Sequence, residues 1–258
     1  MRLTVLVDNN SNIAHFLCAE PALSFCIEDG YRKILFDCGY SDAFIKNAYQ
    51  LGIDLSDVTD IVLSHGHVDH TGGLARLQSL YLKISRVGFP ICVKRVTAHP
   101  DIMKPLQEDT LANKNIPQLC DLFDVSLTKD PRYITDNILF LGEIPVKDET
   151  RYRHRDDSSL VYTSPDGLVI ISGCSHSGLI NIAEYAKKVT NEDRIAAIIG
   201  GIYIGNNHEN DIKAIGEYLL REHVPAVYPC HCCDLETKLL LSKYVPIKDV
   251  YSGLAITF

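Results

Sequence analysis

The chain of 258 residues carries a formal charge of -8 at neutral pH, with 33 acidic against 25 basic residues, and 46% of it is hydrophobic. That balance excludes a general nucleic-acid binder, which needs clustered Lys and Arg to neutralise phosphates, although a local basic pocket for an anionic small molecule stays compatible with it. No run approaches the roughly 18 apolar residues of a membrane span, and the length suffices for one compact catalytic domain over 1–258 with a full core.

The N-terminal stretch Met1-Arg2-Leu3-Thr4-Val5-Leu6-Val7-Asp8 has only a short apolar run before a charge, so it reads as a first strand rather than a secretory signal. Nine Cys without an export signal point to a reducing, cytoplasmic setting with free or metal-bound thiols. Strands are expected at Leu3–Val7, Leu23–Ile27 and, after a Glu28-Asp29-Gly30 turn, Lys33–Phe36. Ser41 is a candidate cap for a helix over Asp42–Leu51, with Phe44, Ile45, Ala48 and Leu51 at helical spacing and Gly52 ending it. A strand at Asp60–Leu63 precedes a His-rich loop, a helix starts near Leu74, and Pro90–Val93 reads as another strand. From His99 to Pro131 four prolines and weak periodicity break the rhythm, which suggests an active-site lid or insertion around 99–131, or a plain surface excursion.

In the second half Asn137–Leu141 reads as a strand, followed by a charged stretch from Lys147 to Asp157. Arg151, Arg153 and Arg155 suit an anionic substrate, since guanidinium forks match phosphate oxygens, or else face water as most charge runs do. Leu160–Thr163 and Leu168–Ser172 form a hairpin about Pro165-Asp166-Gly167, followed by a helix after Gly178, a strand Ile195–Ile199, a helix Asp211–Arg221 and a strand Ala226–Tyr228. Repeated strand, loop and helix in both halves imply an α+β fold of two stacked mixed sheets flanked by helices.

The chemistry concentrates in Ser64-His65-Gly66-His67-Val68-Asp69-His70-Thr71-Gly72-Gly73, where an apolar run stops and a helical pattern begins. In an extended segment residues two apart point the same way, so His65 and His67 can share one cation while Asp69 faces the same cavity. His70 has the opposite parity and reaches toward a second cation, and Asp69 supplies negative charge. The flanking glycines leave room for metal and substrate. Gly173-Cys174-Ser175-His176-Ser177-Gly178 and Pro229-Cys230-His231-Cys232-Cys233 place further His and Cys at strand ends, which makes His176 and His231 the best candidates to complete a two-metal site. Cys174 is either a small buried apolar residue or a thiolate ligand. Cys230, Cys232 and Cys233 lack the second separated pair that a closed structural zinc site uses. His154 is a further candidate, with His99 and His208 behind it.

The His-x-His-x-Asp-His loop after an apolar strand resembles the metallo-β-lactamase superfamily, and the resemblance runs along the whole chain. Val7-Asp8-Asn9, Ala19-Glu20, Leu35-Phe36-Asp37-Cys38-Gly39, the Gly-Cys-Ser-His motif, Ile199-Gly200-Gly201 and Pro229-Cys230-His231-Cys232 look like landmarks of its dihydropterin-type branch. The branch is named for an archaeal synthase that joins a pterin diphosphate to an aminobenzene-ribose phosphate. The resemblance implies a four-layered αββα sandwich, with His65 and His67 on the first metal, Asp69 and His70 on the second, His231 completing the second site and His176 a later ligand. Two divalent ions are implied, zinc best suiting a His-rich set, with iron and manganese chemically open.

Two chemistries follow. A binuclear hydrolase uses metal-activated water on an ester, lactone or phosphoester, with Asp69 orienting the water and taking its proton. A pterin-pathway transferase uses the same cations to neutralise a diphosphate leaving group. A non-catalytic metal-binding or redox role for the Cys-rich stretch ranks below both. Departures from the branch fall beside the metal motifs: Pro21-Ala22 replaces His-Gly, Tyr203 stands where relatives carry a histidine, and Cys233-Asp234 replaces Thr-Gly.

Overall fold

In a computed structural model that describes residues 1–12, 16–89, 91–104, 123–146, 148–149, 152, 154–204 and 208–258, contacts divide the chain into two units. The first comprises Met1–Thr128 with Tyr251–Phe258, the second Lys129–Val250. Each is built on its own mixed sheet with helices packed on it.

The first unit holds β1 (Arg2–Val7), β2 (Ser24–Asp29), β3 (Arg32–Phe36), α1 (Ala43–Gln50), β4 (Asp60–Val62), α2 (Val68–Thr71), α3 (Leu74–Arg86), β5 (Lys94–Ala98) and β6 (Phe123–Leu127). The second holds β7 (Arg132–Tyr133), β8 (Ile138–Phe140), β9 (Ser159–Ser164), β10 (Gly167–Ser172), α4 (Leu179–Thr190), β11 (Ile195–Gly201), α5 (His208–Arg221), β12 (Val227–Cys230) and α6 (Leu235–Leu241), and β13 (Ala255–Thr257) returns to the first. The first sheet runs β13-β1-β2-β3-β4-β5-β6. It is antiparallel from β13 to β3 and parallel from β3 to β6. The second runs β12-β11-β10-β9-β8-β7, parallel at the β12 end and antiparallel beyond β10.

Helical periodicity decides what packs. On α3, Leu74, Leu77 and Tyr81 fall at spacings of three and four, so one stripe is buried against the first sheet's core of Leu35, Phe44, Ile61 and Leu63. The Tyr81 hydroxyl, buried with it, donates to the Leu55 carbonyl at 3.0 Å. On α4, Leu179, Ile182, Ala183 and Ala186 do the same against Leu168, Ile170 and Ile198. α1 adds a buried Asn47, whose amide donates to the Leu6 and Cys18 carbonyls at 2.7 and 2.8 Å and so meets the hydrogen-bonding demand of burial.

Several sequence expectations shift. No strand forms over 91–93; the strand is Lys94–Ala98, because its backbone pairs in register with β4 and β6 on either side. Residue 90 and residues 105–122, at the heart of the expected lid, lie outside the described residues, while the end of that stretch is strand β6. The N-cap of α1 is Asp42 without a side-chain cap bond, and Ser41 Oγ instead accepts from the Ala43 N–H at 3.1 Å. Among the described residues no helix is long and apolar enough to cross a membrane, and no described cysteine forms a disulfide.

One contact seats the His-rich segment on the first sheet. Gly73 donates its N–H to the Gly39 carbonyl at 3.0 Å, and a Cβ at this position would lie 2.0 Å from the Cys38 carbonyl oxygen. The residue is a glycine because backbone meets backbone there, not to leave room for a ligand. Gly73→Ala is therefore expected to destabilise the first unit by about 3 kcal/mol, read as a lower urea midpoint with unchanged slope.

Candidate metal centre

The parallel pairing of β3 with β4 aligns Phe36 with Val62, so both chains leave the sheet side by side. Asp37 follows on one chain, with φ 57°, and Ser64-His65 on the other. Asp37 is fully buried. Its Oδ1 accepts the Ser64 N–H at 2.7 Å, and its Oδ2 accepts the Ser64 hydroxyl at 2.6 Å and lies 2.7 Å from His70 Nδ1. A carboxylate has no proton to give, so His70 Nδ1 carries the hydrogen and its Nε2 presents a lone pair. The Ser64 hydroxyl spends its one proton on Asp37, so the 2.9 Å contact from its oxygen to His65 Nδ1 requires that nitrogen to be the donor. Both imidazoles are thereby held in the tautomer that a metal ligand needs, by one carboxylate and one hydroxyl.

The three rings converge. His65 lies 4.5 Å from His67 and 4.2 Å from His70 between ring centroids, and ligand nitrogens of His65 and His67 come within 4.8 Å of each other. An Asp69 carboxylate oxygen is 3.8 Å from His70 Nε2. The segment is only partly extended: His67 is the N-cap of α2, so Asp69 and His70 sit on a helical turn, which sets their directions in place of strand parity.

In the second unit Cys174 and His231 stand at the ends of β10 and β12 and offer ligand atoms within 4.8 Å of each other. The His176 ring lies 4.5 Å from that of His154 and 4.8 Å from that of Tyr203. His231 and Ser175 both adopt a left-handed backbone, with φ 52° and 57°. Gly200 lies at the closest approach of β10 and β11, where a Cβ would meet the Ser172 carbonyl at 1.9 Å. The Cys232 thiol donates to the Cys174 carbonyl at 3.5 Å, and burial pushes the Cys233 thiol up to about 12. Among the described residues none of Cys230, Cys232 and Cys233 falls in a cluster of three metal-ligating side chains, in keeping with their spacing.

Other candidates have plainer roles. His99 caps the turn Pro100–Met103 by accepting the Asp101 N–H on Nδ1 at 3.1 Å, and His208 opens α5. Asp234 caps α6 by accepting from the Thr237 N–H at 2.8 Å. Arg155 is ion-paired with Glu149 at 2.5 Å on the surface, and Arg151 and Arg153 lie outside the described residues. Asp37, bonded to Ser64 and His70, and Asp157, bonded to the Ser177 N–H, are given no positioning role by the sequence reading. The available signal was their position, Asp37 directly after an apolar strand and before Cys38-Gly39, and Asp157 just ahead of β9.

Residues 19–87 match the family model described as the metallo-beta-lactamase superfamily. The fold is that of the metallo-β-lactamase superfamily. A solved metal-dependent hydrolase of the β-lactamase superfamily, Tm1679, is similar to the chain with a TM-score of 0.83 and 28% identity, covering 100% of this chain and 99% of that one. Two proteins of Methanocaldococcus jannaschii are also similar. One is the 7,8-dihydropterin-6-methyl-4-(β-D-ribofuranosyl)-aminobenzene-5'-phosphate synthase, 28% identical over 85% of this chain and 83% of its own length. The other is the uncharacterized protein MJ0448, 26% identical over 93% and 94%. The dihydropterin-type resemblance read from the motifs is thus matched by a named synthase, on a metallo-β-lactamase fold of two mixed sheets with helices.

The donor set fits a divalent cation: buried imidazoles with fixed tautomers, a nearby carboxylate and a carboxylate behind them. Asp37→Ala removes the group that aims both His65 and His70, so divalent-cation affinity is expected to fall about 10–100-fold, measured by competition with a chromogenic chelator. Ser64→Ala, which releases only His65, is expected to fall less.

Proposed function

We propose that the protein is a binuclear metal-dependent hydrolase acting on an anionic ester, lactone or phosphoester, with His65, His67, Asp69, His70, His176 and His231 as its metal ligands. The observation that carries this reading is the Asp37–Ser64 network, which presents Nε2 of His65 and of His70 as ligand lone pairs from a fully buried position. Superfamily members are mostly metal-dependent hydrolases, and the hydrolase Tm1679 matches along the full chain. Divalent ions, when held by these residues, would supply Lewis acidity to activate water near neutral pH and to stabilise charge developing on the substrate. The protein's own part is to hold the imidazoles in place and to offer the Asp69 carboxylate, which orients the water and takes up its proton. Zinc suits the imidazole-rich set best.

A second reading is favoured by the 28% identical synthase: a transferase in which the same site neutralises a diphosphate leaving group while an aryl amine attacks a dihydropterin diphosphate. Both readings need the same ligands and differ in what binds beside them.

Elemental analysis is expected to give about two metals per chain, falling in each of His67→Ala, His176→Ala and His231→Ala, with hydrolysis of bis-p-nitrophenyl phosphate abolished by chelation. Full metal occupancy without turnover, together with diphosphate release that requires both a pterin diphosphate and an aryl amine, selects the transferase. Retention of both metals in His176→Ala removes His176 from the ligand set.

A further inference from the structure

We propose that Asp157 is the positioning residue of the His176 turn: its buried carboxyl group accepts the backbone N–H of Ser177, the residue after His176, and so sets the direction of the His176 imidazole. The inference rests on the reading of His176 as a metal ligand.

Asp157 has no solvent exposure. Its Oδ2 accepts the Ser177 N–H at 2.8 Å. The Ser177 hydroxyl reaches back to the Asp157 carbonyl at 3.4 Å, and the Asp157 N–H donates to the His154 carbonyl at 3.2 Å. One residue thus ties together the segments bearing His154 and His176, whose rings pack against each other at 4.5 Å.

The turn needs such a tie. Ser175, a residue with a side chain, sits at φ 57° and Gly178 at φ 85°, and backbone of this kind persists only where its surroundings over-determine it. The opposite side of the turn is held by the Tyr203 N–H, which donates to Ser175 Oγ at 3.0 Å and to the Cys174 carbonyl at 2.9 Å. An apolar residue would fill the space of Asp157 at lower desolvation cost but could not accept the Ser177 N–H. The Asp157 Oδ1 has no hydrogen-bond partner among the described residues, so this carboxyl is retained at a cost that its grip on the turn accounts for. Asp37 has the same design in the first unit: a buried carboxylate at a strand end that accepts a loop N–H beside a candidate ligand.

The test is a graded series, wild type, Asp157→Asn and Asp157→Ala, with His176→Ala alongside, all on the full chain. Amide exchange at Ser177 is measured in metal-free protein, and zinc and cobalt affinities are measured by chelator competition. In Asp157→Ala the Ser177 amide is expected to exchange at least about tenfold faster, and one of two ions to bind about 10–100-fold more weakly. The other ion should stay within about twofold of wild type, as a second-shell change at one ligand predicts. Asp157→Asn, which keeps an acceptor oxygen in the same place, should fall between, with a shifted cobalt d–d spectrum for the affected ion. A side chain that merely packs would lower the melting temperature and leave both affinities and the spectrum unchanged, and that result overturns the proposal. Should Asp157→Ala not fold, wild-type exchange and wild-type affinity in Asp157→Asn overturn it equally. If His176→Ala itself keeps both ions, the ligand assignment fails and the proposal fails with it; if His176→Ala loses one while Asp157→Ala loses none, the positioning role alone is refuted.

Discussion

A single buried carboxylate organises the first unit's chemistry. Asp37 lies at the end of β3 with a left-handed backbone, and its two oxygens hold both Ser64, the neighbour of His65, and the His70 ring. Burying that charge is costly, and the cost is offset because each oxygen is a strong acceptor for donors fixed by the fold. The donors arrive because β3 and β4 are parallel neighbours in a fixed register, so a one-residue slip between them would part Asp37 from Ser64 and release both imidazoles. The backbone seconds this arrangement. The Cys38 N–H donates to the His70 carbonyl at 2.7 Å and Gly73 packs on the same turn, so the ligand loop is joined to the strand end by main chain as well as side chain.

Strain is distributed accordingly. Asp37, Ser175 and His231 have side chains yet adopt left-handed φ values, and each stands just past a strand at a candidate ligand or next to one. Two further left-handed residues, Asn191 and His223, end helices, where this conformation is an ordinary stop. The two groups differ in what compensates them. A helix end needs only its own carbonyls satisfied, whereas the strand-end residues depend on partners far away in sequence, Ser64 for Asp37 and Tyr203 for Ser175.

That difference explains how much was legible in the sequence. The His-x-His-x-Asp-His loop could be read because its ligands lie within six residues, and α3 and α4 because a buried stripe repeats every three to four positions. The sequence places this strand at Pro90–Val93 rather than Lys94–Ala98 because the strand character of Lys94–Ala98 comes from pairing on both edges. Its Lys94 is largely buried and reaches the Ser56 carbonyl at 2.6 Å, which no local hydropathy pattern announces. The roles of Asp37 and Asp157 were hidden for a related reason. Each acts across a wide separation in sequence, 27 residues to Ser64 and 20 to Ser177, and a carboxylate gives no sign in the sequence of which amide it will accept from.

A named hydrolase and a named synthase both stand among the similar proteins, and the residues of this chain divide by how tightly they are committed to the imidazoles. Groups that orient the imidazoles are buried and committed to one another, so they tolerate little change. Tyr203 is differently placed: its backbone is fixed by Ser175 and Cys174, its ring packs 4.8 Å from His176, and 43% of its surface is open. A substitution there alters the size and hydrogen bonding beside a candidate ligand without touching the carboxylates that aim the frame. Tyr203 thus has one edge on a candidate ligand and the other exposed, and a phenol in that place offers a single hydroxyl that both donates and accepts.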